Sequence, residues 1–190
     1  MHRQNLLNLL QQHRTSYLDE SGYVSRGTRL IIDNPDIFER AQPMHVTASA
    51  WVVNPALTRV LMVHHARLHQ WFQPGGHADG DVDVLRVALK EVAEEAGVDP
   101  SHIKLLSDQI FDVDMHWVPD TDAAPAHSHV DIRFLVEIDD ALPVPGNNES
   151  HQVAWIDLYN ATRMNGNRST WRMVDKTRQL RQLMGWRKTV

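Results

Sequence analysis

The chain has 190 residues, 42% of them hydrophobic and 23% charged, which is the composition of a globular protein large enough for a sizeable core. It contains no cysteine, which excludes disulfides, thiolate nucleophiles and zinc–thiolate sites and favours a cytoplasmic location. The net charge is −5 and no apolar run is long enough to cross a bilayer, so neither duplex nucleic acid nor a membrane is an expected partner.

Two short helices are predicted before residue 44. Leucines supply one apolar side of Asn5–Arg14, the pattern of an amphipathic helix. The pair Asn34-Pro35 is typical of a helix start, and predicts a second helix over Asp36–Arg40. We therefore assign residues 1–43 to a helical N-terminal extension that packs on the main sheet.

From Met44 onwards the pattern becomes that of β-strands. His45–Val53 and Arg59–His64 are predicted to form a hairpin, with the turn at Asn54-Pro55. The other predicted elements are strands within Lys104–Met115, at His129–Ile138 and at Gln152–Ile156, and a closing helix at Trp171–Trp186. Residues 44–160 are the expected core and residues 161–190 the C-terminal helix of a single domain.

A glycine-rich turn at Gly75-Gly76 leads into a helix that ends near Gly97. Each helical residue advances about 100° around the axis, so Glu91, Glu94 and Glu95 share one narrow face. Another face carries the apolar residues expected to pack on the core, namely Leu85, Leu89, Val92 and Ala96. Three neighbouring carboxylates repel each other unless a divalent cation that prefers oxygen ligands lies among them. The sequence thus predicts a Mg²⁺ or Mn²⁺ site, the alternative being a solvated acidic face.

Gly76–Val98 resembles the Nudix box, G-x5-E-x7-R-E-U-x-E-E-x-G-U, where U is aliphatic. The second half of the box matches, including all three glutamates. Val82 stands where the pattern has its first Glu, and Lys90 where it has Arg. In the family those two side chains brace the junction of loop and helix. A contact between Asp83 and Lys90 is the substitute that the spacing allows.

The resemblance implies a Nudix hydrolase, with an α/β/α sandwich around a mixed β-sheet and added N- and C-terminal helices. The implied reaction is metal-dependent cleavage of a diphosphate linkage in a nucleoside diphosphate derivative or related metabolite. Glu91, Glu94, Glu95 and the backbone carbonyl of Gly76 would then bind Mg²⁺ or Mn²⁺, and Glu149 in a later loop is the candidate general base. A homodimer is also implied, since dimers are frequent in the family.

Two other Nudix-fold proteins are alternatives. One is a ligand-binding module that has lost activity, which Val82 and Lys90 favour and the three intact glutamates oppose. The other is an isomerase of the isopentenyl diphosphate type. That family uses an active-site cysteine, which this chain lacks.

Polar residues alternate along one predicted strand, where His127, His129, Asp131 and Arg133 point to the same face. This polar strip is predicted either to contact substrate, with Arg133 meeting a phosphate, or to face water at a sheet edge.

Histidine is unusually frequent, with 12 in the chain. His77, next to Gly76, is predicted to contact substrate or to cap the turn. A zinc site is a further alternative for the histidines of the polar strip, with partners drawn from His64, His65 or His69.

Overall fold

The computed structural model describes residues 2–66, 69–120, 125–147 and 150–185, and of Ser150 and His151 only the backbone. The helices are α1 Arg3–Gln12, α2 Leu18–Asp33, α3 Val84–Ala96, α4 Ala161–Met164 and α5 Arg168–Leu183. The strands are β1 Met44–Val53, β2 Arg59–His65, β3 Gln70–Phe72, β4 Gly75–His77, β5 Lys104–Leu105, β6 Asp112–Val118, β7 His127–Glu137 and β8 Ser150–Asp157.

The chain forms two compact units. Unit 1 comprises Met1–Ala50, Gly75–Glu91 and Ser107–Phe134, and unit 2 comprises Trp51–Pro74, Val92–Leu106 and Leu135–Val190. Three elements, β1, α3 and β7, are continuous through both units.

In unit 1 the first half of β1 pairs antiparallel with β4, so that Thr47 lies opposite His77 and Ser49 opposite Gly75. Strand β6 pairs antiparallel with β7 along its whole length, and α2 packs against β6. Apolar side chains from the helices and strands form the core of this unit, among them Leu6, Leu10, Ile31, Val46, Val113, Val130 and Ile132, all 1% exposed or less.

In unit 2 the predicted hairpin is confirmed, with Val52 of β1 opposite Leu61 of β2. Strand β2 lies between β3 and β8 and pairs antiparallel with both. The end of β7 pairs with β5. Helix α5 is held by a buried hydrogen bond of 2.9 Å that the indole of Trp51 donates to the Thr177 hydroxyl.

The direction of β7 relative to β1 makes the sheet mixed. At one end Ser128 N–H donates to the carbonyl of Pro43, at 2.9 Å, and at the other Ile138 N–H donates to that of Val53, at 3.1 Å. Both strands advance by the same number of residues between these bonds, so they run parallel. A mixed sheet with flanking helices confirms the predicted α/β/α class, and the N- and C-terminal helices are present.

The prediction of a helix over Asp36–Arg40 is wrong. This segment is a turn, in which Glu39 N–H donates to Asp36 O, at 2.9 Å. The carbonyl of Ile37 accepts from Val46 N–H of β1, at 2.8 Å, and so is bonded to a strand instead of to a helical turn. The buried side chains of Ile37 and Phe38 fasten the turn to the core.

Two further expectations need correction. Gly75-Gly76 was predicted as a turn, but it belongs to β4 and is hydrogen-bonded to β1. On α3, Leu85 and Leu89 are half-buried, and the buried positions are Val84, Val87, Ala88, Val92 and Ala96. The buried stripe therefore repeats at three- and four-residue spacings, as on other amphipathic helices. No helix in the described part of the chain is long and apolar enough to cross a membrane.

Candidate active site

Helix α3 begins where an aspartate caps it. Asp83 Oδ1 accepts a hydrogen bond from Arg86 N–H at 3.1 Å, which satisfies one of the free amide groups of the first turn. The helix ends at Gly97, whose φ of +67° is in the left-handed region. Its last two turns carry the three predicted metal ligands, with Glu91 and Glu95 half-buried and Glu94 exposed.

Strand β4 places Gly76 against Glu91. A Cβ atom built on Gly76 would lie 2.6 Å from Glu91 Cδ and 2.7 Å from its Oε2, closer than two such atoms can approach. The carboxylate of Glu91 therefore occupies the space that a side chain at position 76 would need. Gly76 and Glu91, two residues predicted to hold the metal, are therefore close neighbours.

The two departures from the box lie beside this contact. Lys90 Nζ is 3.6 Å from Glu91 Oε1, and its side chain is 57% exposed. Asp83 is engaged as the cap of α3. A direct contact between Asp83 and Lys90 stays a prediction, and Val82 is half-buried.

The polar strip is buried and internally paired at its Arg133 end. Arg133 is 3% exposed, and its Nε, Nη1 and Nη2 donate to Asp131, Asp112 and Asp114 at 2.7, 3.2 and 3.2 Å. Asp131 also accepts from the hydroxyls of Thr47, at 3.0 Å, and Ser49, at 2.9 Å.

These hydrogen bonds make Arg133 the counter-charge of three buried carboxylates. Burial by itself lowers the pKa of the guanidinium, but attraction to Asp114, Asp131 and Asp112 outweighs burial and raises it. A guanidinium whose three nitrogens already face buried carboxylates has no free fork to offer a phosphate. The geometry therefore gives no support to the predicted phosphate contact of Arg133. The polar strip was predicted to be either a substrate surface or an open sheet edge, and neither describes its buried Arg133 end.

At its other end the strip joins a cluster of four histidines, which we call the histidine cluster: His45 of β1, His77 of β4, and His127 and His129 of β7. One ring nitrogen from each can be chosen so that all four lie within 4.8 Å of one another. The two candidate substrate contacts, His77 and His129, are thus neighbours, with ring centroids 5.2 Å apart.

His45 is the member that sequence reasoning missed. His45 shares a face of β1 with Thr47, and Thr47 lies opposite His77 of β4. The sequence could not show that His45 and His77 are close, because β4 was not predicted to be a strand. The predicted alternative zinc site drew its partners from His64, His65 or His69. The structure combines the strip with His45 and His77, while His64 lies beside His69 with ring centroids 6.3 Å apart.

The comparisons with known proteins agree with this architecture. The family model of the NUDIX domain matches residues 43–176, more than half of the chain. The chain belongs to the Nudix family. Similar folds occur in an Ap4A hydrolase from C. elegans in a binary complex, with a TM-score of 0.58, 17% identity, and coverage of 74% of this chain and 98% of that one.

Two other solved structures share the fold. A NUDIX-family hydrolase from Clostridium perfringens has a TM-score of 0.52 and 19% identity, covering 72% of this chain and 97% of that one. A NUDIX hydrolase from Nitrosomonas europaea has a TM-score of 0.52 and 15% identity, covering 72% and 89%. At these identities the likeness establishes the fold alone.

Within this Nudix chain, burial holds three members of the histidine cluster in the neutral form. It lowers the pKa of His77 to about 4 and that of His129 to about 2, with the neighbouring histidines adding to the shift. Burial also lowers the pKa of His45, although its hydrogen bond to the Gln42 carbonyl acts in the other direction. A neutral imidazole has one nitrogen lone pair available to a ligand.

One predicted residue cannot be placed. Glu149, the candidate general base of this Nudix chain, lies outside the described residues.

Proposed function

We propose that this protein is a metal-dependent Nudix hydrolase that cleaves a diphosphate linkage in a nucleoside diphosphate derivative or related metabolite. Membership of the family supports hydrolysis of a pyrophosphate bond. The observation that supports the proposal is the close approach of Glu91 to Gly76, because the Nudix resemblance implies both residues as metal ligands.

The donors suit a hard divalent cation. Glu91, Glu94, Glu95 and the Gly76 carbonyl offer only oxygen, the ligand type that Mg²⁺ and Mn²⁺ prefer. Glycine at position 76 is needed because any side chain there would displace the Glu91 carboxylate. These four groups would hold the metal, which when bound neutralises phosphoryl charge and lowers the pKa of a coordinated water.

The chain's own residues position that chemistry. The Asp83 cap fixes the start of α3, and β4 fixes Gly76 by its pairing with β1. Lys90, 3.6 Å from Glu91, adds positive charge beside the carboxylate. Glu149 as general base and His77 and His129 as substrate contacts remain proposals.

The test is an activity screen with Mg²⁺ and with Mn²⁺. The substrates are nucleoside diphosphate sugars, nucleotide cofactors, nucleoside triphosphates and dinucleoside polyphosphates, the last because one structural neighbour is an Ap4A hydrolase. We expect turnover of one class, and a loss of kcat/KM of at least about 100-fold in Glu95→Gln, which removes a charged ligand and keeps the side-chain shape.

Glu137→Gln is the matched control. This carboxylate pairs with Lys104 on the surface, at 3.1 Å, and its removal should leave turnover unchanged. Equal activity of the Glu95→Gln variant and the wild type would refute the metal site. Substrate binding without turnover in the wild type would instead identify the inactive binding module that Val82 and Lys90 favour. The cytoplasmic location, the homodimer and the lack of a nucleic-acid partner stay predictions.

A further inference from the structure

The histidine cluster is built by three strands of unit 1. Thr47 of β1 is paired with His77 of β4, and His45 lies two positions before Thr47 on the same face of β1. The backbone bond from Ser128 to Pro43 joins the start of β7 to the residues just before β1. His127 and His129 flank Ser128 and share one face of β7, so the four rings converge through backbone pairing.

His45 presents an unused nitrogen to the cluster. Its side chain is 1% exposed, and Nδ1 lies 2.8 Å from the Gln42 carbonyl, which can only accept, so the proton is on Nδ1. The lone pair is then on Nε2. This buried atom has no hydrogen-bond partner among the described residues. A buried acceptor without a partner is unfavourable, and a ligand at this point would remove the cost.

His127 is oriented in the same way. Its Nδ1 lies 2.7 Å from the Pro125 carbonyl and donates to it, which leaves Nε2 as the nitrogen that can present a lone pair. That Nε2 faces Nε2 of His129 at 3.1 Å.

A relay of hydrogen bonds also places the lone pair of His129 on Nε2. The carboxylate of Asp114 accepts from His116 Nδ1, at 3.2 Å, which leaves His116 Nε2 as the nitrogen that can accept. His129 Nδ1 lies 3.3 Å from that acceptor and donates to it. Carbonyl and carboxylate partners on the far nitrogen of a ring are the arrangement that orients metal-bound histidines.

The contact of His127 with His129 is then a contact of two lone pairs. With these tautomers the two lone pairs repel each other at 3.1 Å, and a cation next to both nitrogens, whether a proton or a metal ion, relieves the repulsion. Two nitrogens bound to one tetrahedral zinc at about 2.0–2.1 Å are about 3.3 Å apart. The observed separation is close to that value, and one ring nitrogen from each of the four histidines lies within 4.8 Å of the others.

We propose that His45, His77, His127 and His129 form a binding site for one Zn²⁺ ion, coordinated by four imidazole nitrogens. The site is separate in its chemistry from the oxygen ligands of α3, because imidazole selects zinc and its transition-metal neighbours whereas carboxylates and carbonyls select Mg²⁺ and Mn²⁺. Four protein ligands close the coordination sphere, as in structural zinc sites, so the ion ties β1, β4 and β7 together.

Cobalt is the probe for this site, because tetrahedral Co²⁺ has intense visible absorption. The full chain is prepared without a histidine tag, and a chelator that is then removed frees it of metal. It is then titrated with Co²⁺ in the presence of excess Mg²⁺. We expect one equivalent of Co²⁺ to bind with a tetrahedral spectrum, and one equivalent of Zn²⁺ to displace it.

Matched variants identify the ligands. His129→Gln and His77→Gln should each weaken Co²⁺ binding at least about 100-fold, and His116→Gln, which loses only the relay, about 10- to 100-fold. His102→Gln, at an exposed position, should bind like the wild type. Glu95→Gln should keep full Co²⁺ binding even where it abolishes hydrolysis, so this proposal and the proposed function can fail separately.

Two results would overturn the site. One is a wild-type chain that takes up no stoichiometric Co²⁺ with a tetrahedral spectrum. The other is equal affinity in His77→Gln and His102→Gln. His77 is only half-buried, so its variant tests the ligand set even if His129→Gln does not fold.

Discussion

At the scale of single residues, Arg133 shows how a charge can be buried in a sheet. Three carboxylates surround one guanidinium, and two hydroxyls donate to one of the three. Removing ions from water costs several kcal/mol each, and the loss is recovered only when each charge has close partners. The three carboxylates therefore depend on Arg133, which is their shared counter-charge.

We predict that Arg133→Met lowers the free energy of unfolding by about 3–5 kcal/mol, because it leaves buried carboxylates without a counter-charge. Urea unfolding followed by circular dichroism measures the change. Arg86→Met is the control, since Arg86 is 67% exposed in its pair with Asp81 and should cost less than about 1 kcal/mol. A loss below about 1 kcal/mol for Arg133→Met would show that the carboxylates find other partners.

The sequence could predict only part of this group. Alternation along β7 correctly put Asp131 and Arg133 on one face, because the strand period is local. The partners Asp112 and Asp114 lie on another strand, and their register depends on backbone pairing between β6 and β7. For the same reason the histidines of the polar strip were recognised as a possible zinc site, but His45 and His77 were not.

At the scale of elements, β4 depends on two glycines for different reasons. A Cβ on Gly75 would lie 2.3 Å from Ser49 Cβ and 2.7 Å from Ser49 Cα, so it would strike the backbone of β1. The nearest atoms to a Cβ on Gly76 would be the carboxylate of Glu91, the end of a side chain that can move. The first glycine permits strand pairing and the second makes room for a carboxylate.

We therefore predict different outcomes for two adjacent substitutions. Gly75→Ala should lower the free energy of unfolding by at least about 2 kcal/mol, because overpacking against backbone cannot be relieved by a rotamer change. Gly76→Ala should cost less than about 1 kcal/mol but should reduce Mg²⁺-dependent turnover at least about 10-fold by displacing Glu91. Thermal unfolding and the activity screen measure the two effects. Full turnover in a folded Gly76→Ala variant would argue against Glu91 and Gly76 acting together.

Elements with a strong period were predictable, and those without one were not. The hairpin β1–β2 and the helix α3 followed from alternation and from the box. Helix α2 was not predicted, and Gly22, Gly27, two serines and a threonine give its sequence a weak helical preference. Its packing compensates, since a Cβ on Gly27 would be 3.1 Å from Val130 Cγ1 and the missing side chain lets the helix lie close to β7.

At the scale of the whole molecule, the N-terminal extension belongs to the core of unit 1. The NUDIX match begins at residue 43, yet Leu6, Leu10 and Ile31 before it are 1% exposed or less. The prediction of an extension that packs on the sheet followed from the leucine pattern. No local pattern indicated the polar contacts that anchor it, because Glu20 looks like any surface glutamate of a helix.

Glu20 is the centre of that anchor. It is 0% exposed, and its Oε1 accepts from Val113 N–H of β6 at 3.1 Å and from His13 Nε2 at 2.8 Å. Its other oxygen accepts from the hydroxyl of Thr15. The second nitrogen of His13 is 3.1 Å from the carbonyl of Ile110, so one carboxylate connects both N-terminal helices to the segment around β6.

We predict that Glu20→Ala lowers the free energy of unfolding by about 2–4 kcal/mol, because it leaves a buried amide, a hydroxyl and an imidazole without their acceptor. The control is Asp33→Ala, at an exposed position at the end of α2, which should change stability by less than about 0.5 kcal/mol. Amide hydrogen exchange of the Glu20→Ala variant shows whether the N-terminal extension unfolds together with β6 or as a separate brace. Faster exchange in β6 together with α2 would show that they unfold as one unit, whereas faster exchange in α1 and α2 alone would mean that the extension is a separate brace.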